Sequence, residues 1–403
     1  MNIIIVAAKI GYQVKIFSEA AQRLGLTVTL LTDRCHQMED PWNDGALALR
    51  FEDPDLESLP ELKADGIIAV GDQPAYIAAL LAEKIALRFH PSLAMERATN
   101  KFLARQQFQK AGMRTPWHQL FKVSENPQTV ADTVPYPCVL KPTGLSASRG
   151  VIRANNTTEF IAAFLRIRKL LIAPDVRDDN ILVESFLPGR EFAVEGLMTG
   201  GHFRTLAIFD KPDPLDGPFF EETIYVTPSR ESAATQQLIE DTIRQAATAI
   251  GLTDGPIHGE LRINGSEAWM LEVTGRPIGG LCAQALRFDG GVALEELLMR
   301  HAIGEDVSAL QREKQASGVM MIPVPRGGIL EGVSGIAEAK AVHGVDDVII
   351  TAKEGYRMIP LPEGSSYLGF IFARAKEPSQ VEQILRLAHS KITVSFLPVL
   401  PVI

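Results

Sequence analysis

Two carboxylates, Glu260 and Glu272, flank an Asn264-Gly265 turn in the stretch His258-Gly-Glu-Leu-Arg-Ile-Asn-Gly-Ser-Glu-Ala-Trp-Met-Leu-Glu-Val-Thr-Gly-Arg276. Asn-Gly between alternating apolar residues is a strong hairpin signal. Side chains alternate faces along a strand. A loop of about three residues, pairing Asn264 with Ala268, sets Glu260 opposite Glu272. His258, Arg262, Met270 and Thr274 then share their face, while Leu261, Ile263, Trp269, Leu271 and Val273 point into a core. Like charges directly opposite each other repel. A hard cation such as Mg2+, held by one or two carboxylates plus substrate phosphates, relieves that repulsion. Arg276, at the strand end, can meet a phosphate or a developing negative charge. The competing arrangement is a surface hairpin with Glu260 paired to Arg262 or Arg276. His258, on the carboxylate face, is a candidate proton acceptor, although a hydrogen-bonded structural histidine is the commoner case.

Upstream, Lys101 falls in the first turn of a helix predicted over 98–111, where the helix dipole disfavours a cation unless it meets an anion. A solvated lysine is the plain alternative. Lys141 ends the short strand predicted within Pro-Tyr-Pro-Cys-Val-Leu-Lys-Pro, residues 135–142. It is followed by Thr143-Gly-Leu-Ser-Ala-Ser-Arg-Gly150, whose free N–H groups and hydroxyls could wrap phosphate oxygens. Such a Gly/Ser loop is more often a mobile linker; Lys141 beside it is what suggests a site.

The elements around these residues follow from pattern. Residues 1–95 alternate strand and helix, with strands at 2–8, 27–31 and 66–70 and helices at 12–24 and 74–84, which implies a parallel sheet. No G-x-G-x-x-G follows the first strand, which excludes a dinucleotide site there. Lys9, Asp33 and Asp72 lie at strand carboxyl ends, where such sheets bind ligands, although caps and loop charges are commoner at such positions. Beyond them come a basic amphipathic helix at 159–172, strands at 180–186, 191–198 and 202–209, and a long helix at 233–250. After the hairpin, Pro277-Ile-Gly-Gly280 leads into a helical stretch through His301. The last hundred residues read as a compact α+β cap with strands at 318–325, 345–351, 367–375 and 392–398 and helices at 338–342 and 378–390. Gly279-Gly280 either leaves room for a substrate or makes a turn.

Composition bounds the chemistry. The 403 residues exceed one ordinary core. A net charge of −9 gives no electrostatic footprint for nucleic acid or an anionic membrane. Cys35, Cys138 and Cys282 form no C-x-x-C pair, which fits a reducing cytosol better than a disulfide framework or structural zinc. The start reads as a buried strand, not a signal peptide, and no window approaches a membrane span.

Taken in order, Lys101, Leu140-Lys141-Pro142 before the Gly/Ser loop, Val183-Glu-Ser-Phe-Leu-Pro-Gly-Arg-Glu191, Gly259-Glu260 and Leu271-Glu-Val-Thr-Gly-Arg276 resemble the ATP-grasp superfamily. The resemblance covers roughly residues 95–300, and the last hundred residues look like the C-terminal domain of the L-amino-acid ligase branch. It implies an ATP-grasp fold, α/β and α+β, with a Rossmann-like domain at 1–95, a nucleotide-binding and catalytic region at 96–305, and an α+β domain at 306–403. By the same resemblance, Lys101 and Lys141 hold ATP phosphates. Ser146, Ser148 and Gly150 belong to the loop that closes over them. Glu184, Ser185, Phe186 and Leu187 form the adenine hinge, and Glu191 accepts the ribose hydroxyls. Glu260 and Glu272 bind one or two Mg2+ ions, with Mn2+ as a substitute, and Arg276 steadies an acyl-phosphate. Thr274 stands where many members have Asn, which puts the second metal ion in doubt. The implied activity joins a small-molecule carboxylate to an amine with ATP, in the cytoplasm. A homodimer follows by analogy only. An ATP-dependent carboxylase and a nucleotide-binding protein without catalysis are the rivals.

Overall fold

The structure, a computed structural model, describes residues 1–8, 11–33, 46–172 and 178–397. Lys9, Cys35 and the end of the strand expected at 392–398 lie outside the described residues.

The first residues form a four-stranded parallel sheet in the order Leu47–Leu49, Thr27–Asp33, Asn2–Ala7, Gly66–Val70. Its central strand is apolar on both faces, with Ile3, Ile4 and Ile5 fully buried, as a sheet covered on both sides by helices requires. Helices Tyr12–Arg23 and Asp72–Ile85 follow two of the strands.

The single helix expected over 98–111 is instead two, Ser92–Thr99 and Lys101–Lys110. Asn100 breaks them with an extended backbone, and its side chain accepts the N–H groups of Phe102 and Leu103 at 3.1 Å each. An N-cap needs a non-helical residue with a side-chain acceptor, and a one-residue interruption is invisible to apolar periodicity. Lys101 is thus the first residue of its helix.

A four-stranded antiparallel sheet follows, in the order His118–Lys122, Asn180–Ser185, Cys138–Pro142, Ile152–Ala154, with helix Thr157–Leu171 packed on it. The largest sheet has eight strands in the order Glu267–Thr274, Gly255–Asn264, Arg190–Thr199, His202–Asp210, Ile224–Thr227, Ala316–Ile322, Gly369–Ala375, Val345–Ile350. Strand Ile224–Thr227, which the sequence reading passed over, joins its two halves. A further small sheet carries Arg357–Met358, Gly328–Ser334 and Thr393–Leu397. The helical stretch expected through His301 is shorter: a 3-10 turn at Cys282–Ala285 and a two-residue strand pair precede helix Leu294–Ala302. No helix among the described residues is long and apolar enough to cross a membrane.

The hairpin itself is Gly255–Asn264 paired with Glu267–Thr274. Glu260 lies opposite Glu272 and His258 opposite Thr274, as the sequence predicts. The turn differs. Asn264 pairs with Glu267 across a two-residue loop, and a bulge between Glu260 and Leu261 absorbs the extra residue. Because one residue of slip reverses facing, the outer part of the return strand is inverted relative to expectation. Met270 is buried at 1% exposure beside Leu261, Trp269 is half-buried under Arg114, and Leu271 lines a cavity.

His90 pins the base of this hairpin. Its Nδ1 accepts the N–H groups of Thr253 and Asp254, and its Nε2 donates to the Pro256 carbonyl at 2.9 Å. A Cβ on Gly275 would lie 2.6 Å from this ring and 2.5 Å from Met95 Sδ, so glycine is needed where the second strand leaves the sheet. Burial pushes the His90 pKa down to about 4, so the ring is neutral, as its two bonds require.

Candidate active site

A cavity of about 830 Å³ opens along the carboxylate face of the hairpin, within the range of small-molecule sites. Lys101, Lys141, Glu260, Glu272 and Arg276 all line it, as do Ser146, Ser148, Glu191 and the stretch Glu184–Leu187. Two predicted residues do not. Gly150 packs against Pro142, which a Cβ would approach to 2.7 Å, and its N–H donates to the Pro362 carbonyl at 2.8 Å. Thr274 is 1% exposed, and its hydroxyl has no hydrogen-bond partner. It is not part of the cavity lining, although it stands two residues from Glu272 and opposite His258 in the hairpin.

At one end, Glu184 is nearly fully buried between two cations: Arg105 donates to it at 2.5 Å, and Lys141 forms an ion pair with it. Burial alone would raise the Glu184 pKa; Arg105 and Lys141 overcome it and bring it down to about 2. Burial lowers the Lys141 pKa despite Glu184. In the predicted hinge, the N–H groups of Ser185 and Phe186 already bond the Trp117 and Pro137 carbonyls. Arg262 fastens this wall by donating to Glu191 at 2.9 Å and to the Leu187 carbonyl at 2.6 Å. Its guanidinium lies over Phe186, 5.4 Å from the ring centre. Lys101 reaches the Leu145 carbonyl at 2.6 Å and Glu272 at 3.5 Å, tying its helix to the Ser146 loop and to the hairpin.

At the centre sits Lys211, which the sequence reading missed. It contacts Glu191 and Glu260 at 2.9 Å each and also pairs with Glu222. Oxygens of these three carboxylates lie within 4.8 Å of one another, a grouping that could hold a metal ion. Burial and the neighbouring Glu260 push the Glu222 pKa up to about 7, whereas Lys211 and His258 hold Glu260 well below the usual carboxylate range against the opposing effect of burial. His258 Nδ1 bonds Glu195 at 2.5 Å, and its Nε2 faces Glu260 at 3.4 Å. Despite burial, these two carboxylates raise the His258 pKa to about 9. Paired with both carboxylates the ring favours its charged form, which has no free lone pair to accept a proton. Glu195 also takes the Ile278 N–H at 3.1 Å, which joins the histidine to the loop after Arg276.

Signals for the missed residues existed. Lys211-Pro212 repeats the Lys141-Pro142 arrangement of a lysine at a strand end before proline, and Arg105 lies one helical turn beyond Lys101 on the same face. Of the strand-end candidates, Asp72 lines the cavity and meets Arg276, whereas Asp33 accepts the Phe51 N–H at 3.1 Å and serves the loop.

Residues 134–285 match the ATP-grasp domain, and residues 320–396 match L-amino acid ligase C-terminal domain 2. The chain has the ATP-grasp fold. This ATP-grasp chain superposes on the crystal structure of an L-amino acid ligase from Bacillus licheniformis with a TM-score of 0.82, at 25% identity over 98% of both chains. An uncharacterized protein, y4rH, of Sinorhizobium fredii is 26% identical over 76% of this chain and 63% of its own length. Alanine–anticapsin ligase of Bacillus subtilis is 26% identical over 61% of this chain and 57% of its own. The matches thus span less than two thirds of these two curated relatives.

Proposed function

We propose that this ATP-grasp protein is an ATP-dependent carboxylate–amine ligase, joining two amino acids, or an amino acid and a small carboxylate, through an acyl-phosphate. The observation that carries the reading is a single cavity shared by two lysines, two opposed carboxylates and an arginine. The matched ligase C-terminal domain supports it, because loops from that segment overhang the same cavity.

A carboxylate does not react with an amine at neutral pH, since oxide is its leaving group. Attack on the γ-phosphate of ATP releases ADP and converts the carboxylate into an acyl-phosphate; an amine then attacks the acyl carbon, loses a proton and displaces phosphate, giving an amide. Phosphoryl transfer spreads negative charge, so the protein's part is positioning and electrostatics. In this reading Lys101 and Lys141 hold ATP phosphates, Glu191 accepts ribose hydroxyls, and the Glu184–Leu187 wall meets adenine. Lys211, held among three carboxylates, adds buried positive charge at the centre. Glu260 and Glu272, paired across the hairpin, suit a hard cation, and Glu191 and Glu222 add oxygens beside Glu260. Bound there, Mg2+ would neutralise phosphate charge. Arg276 stabilises the acyl-phosphate and the later oxyanion; one such donor is typically worth about 3–4 kcal/mol.

Water must be kept out, since it would hydrolyse the intermediate. The Ser146 loop is bonded to the C-terminal segment through Gly150 N–H to Pro362 and Arg149 Nε to the Glu363 carbonyl, at 2.8 and 3.0 Å. Arg166 adds a bidentate pair with Glu363 at 2.5 and 2.8 Å. We take 1–95, 96–305 and 306–403 as the working domain division. A cytoplasmic setting fits the buried free thiols of Cys138 and Cys282. Homodimerisation belongs to the proposal by analogy alone.

The test is phosphate release from Mg·ATP against pooled L-amino acids, each pool alone and in pairs, with mass detection of products. Phosphate with a new mass equal to two amino acids minus water is the expected result. Release that needs bicarbonate in place of the carboxylate substrate would overturn the ligase reading in favour of a carboxylase.

A further inference from the structure

Arg276 is held by a residue of the N-terminal sheet. Its Nε and Nη2 donate to Asp72 Oδ1 and Oδ2 at 2.6 and 3.3 Å, and its Nη1 donates to the Pro277 carbonyl at 3.0 Å. A guanidinium presents five N–H donors in one plane. Three are used here. Two remain, one on each Nη, and these are the donors left for carboxylate or phosphoryl oxygens. The side chains of Arg276 and Asp72 are 12% and 18% exposed, and both line the cavity.

The backbone prepares this contact. Strand Gly66–Val70 ends at Gly71, whose φ of +106° is rarely open to a residue with a side chain, and helix Asp72–Ile85 begins at the next residue. The helix dipole favours an acid in a first turn. It does not account for both oxygens being aimed at an arginine 204 residues away. Unheld, a long arginine side chain samples many rotamers; with Asp72 and Pro277 on two edges, one orientation is left.

We propose that Asp72 is a positioning residue, which holds the Arg276 fork so that its open end faces the place where the acyl-phosphate and the later oxyanion form. The inference rests on the ligase reading for what the fork meets, whereas the holding itself does not depend on it.

A double-mutant cycle tests it, with Asp72→Asn, Arg276→Lys and the pair. Asparagine keeps the shape of aspartate and loses its charge and one acceptor; lysine has no fork to orient. Asp72→Asn is expected to lower kcat about 10- to 100-fold, with the KM for ATP within about twofold of wild type. The double variant is expected to be no worse than Arg276→Lys alone, because Asp72 acts through the arginine. A kcat loss below about threefold, or losses that multiply in the double variant, would overturn the proposal. Should Asp72→Asn not fold, Asp72→Ser takes its place in the cycle. If the wild type turns over no substrate, the ligase reading has failed on its own. In that case, or if Arg276→Lys is too slow to measure, phenylglyoxal labelling of Arg276, mapped by mass spectrometry, decides the holding. Faster labelling in Asp72→Asn than in wild type supports it, and equal labelling overturns it.

Discussion

At the hinge end of the cavity, Glu184 is shared by Arg105 and Lys141, and Glu191 by Arg262 and Lys211. Away from the hinge, Asp72 and Arg276 form one pair, and 277–280 and 351–367, which are mostly loop, also line the cavity. Every carboxylate at the hinge end has two cations and almost no water. Such networks are costly to break, because each lost partner strands a buried charge. They suit a part that is the same in every reaction. The loop-built end draws on three distant stretches of chain, and loops on a rigid scaffold accept change most readily. On the proposed ligase reading, that division keeps the nucleotide end constant and leaves the acid and amine end open to change.

The sharpest way to break the comparison is Lys211→Met. It leaves Glu191, Glu222 and Glu260 without their shared cation, and should cost about 3 kcal/mol of stability by urea unfolding. Turnover should fall at least about 100-fold. Glu272→Ala separates the two effects. Its carboxylate is 24% exposed and pairs only loosely with Lys101, so turnover should drop about 100-fold or more while the unfolding midpoint holds. Near-native turnover would remove Glu272 from the metal pair.

The base of the hairpin gives a pH-dependent contrast. The His90 pKa falls from 6.5 unfolded to about 4 folded. Between those values the unfolded chain binds the extra proton, so stability is full above pH 6.5 and is lost as pH falls towards 4. The His90 share is about 3 kcal/mol. His301, also lowered to about 4, adds to the same slope. Urea unfolding of His90→Asn across this window should show a flatter pH dependence than wild type; an equal slope would show that His90 is not the group responsible. The smallest effect belongs to the lid. Arg166 and Glu363 are 44% and 41% exposed, so Arg166→Ala should cost under about 1 kcal/mol and raise the KM for ATP only severalfold.

The same contrast explains what could be read in advance. Lys101, Lys141 and Arg276 were legible because each sits at a strand end or a helix start, and Glu260 and Glu272 because they lie within two strands joined by a recognisable turn. The opposition of Glu260 and Glu272 came through correctly even though the turn did not: the bulge before Leu261 cancels the shorter loop and restores the register beyond it. Met270, Trp269 and Leu271 lie on the wrong side of that bulge, and for them the expectation failed. The helix break at Asn100 was hidden because it spans one residue. The Asp72–Arg276 contact could be suspected only as a strand-end charge, since no local rule joins positions so far apart in the chain.

Strand Ala316–Ile322 pairs along its length with Ile224–Thr227, so the division taken at residue 305 passes through a hydrogen-bonded ladder. Ending the chain there would not free a self-contained nucleotide-binding half. It would bare the edge of Ile224–Thr227, a row of unpaired N–H and C=O groups that invites pairing with another chain. Recombination among relatives faces the same constraint. A C-terminal segment borrowed from a relative must bring a strand that continues this sheet in register, Met320 beside Ile224 and Ser317 beside Thr227, before any new loop can reshape the cavity.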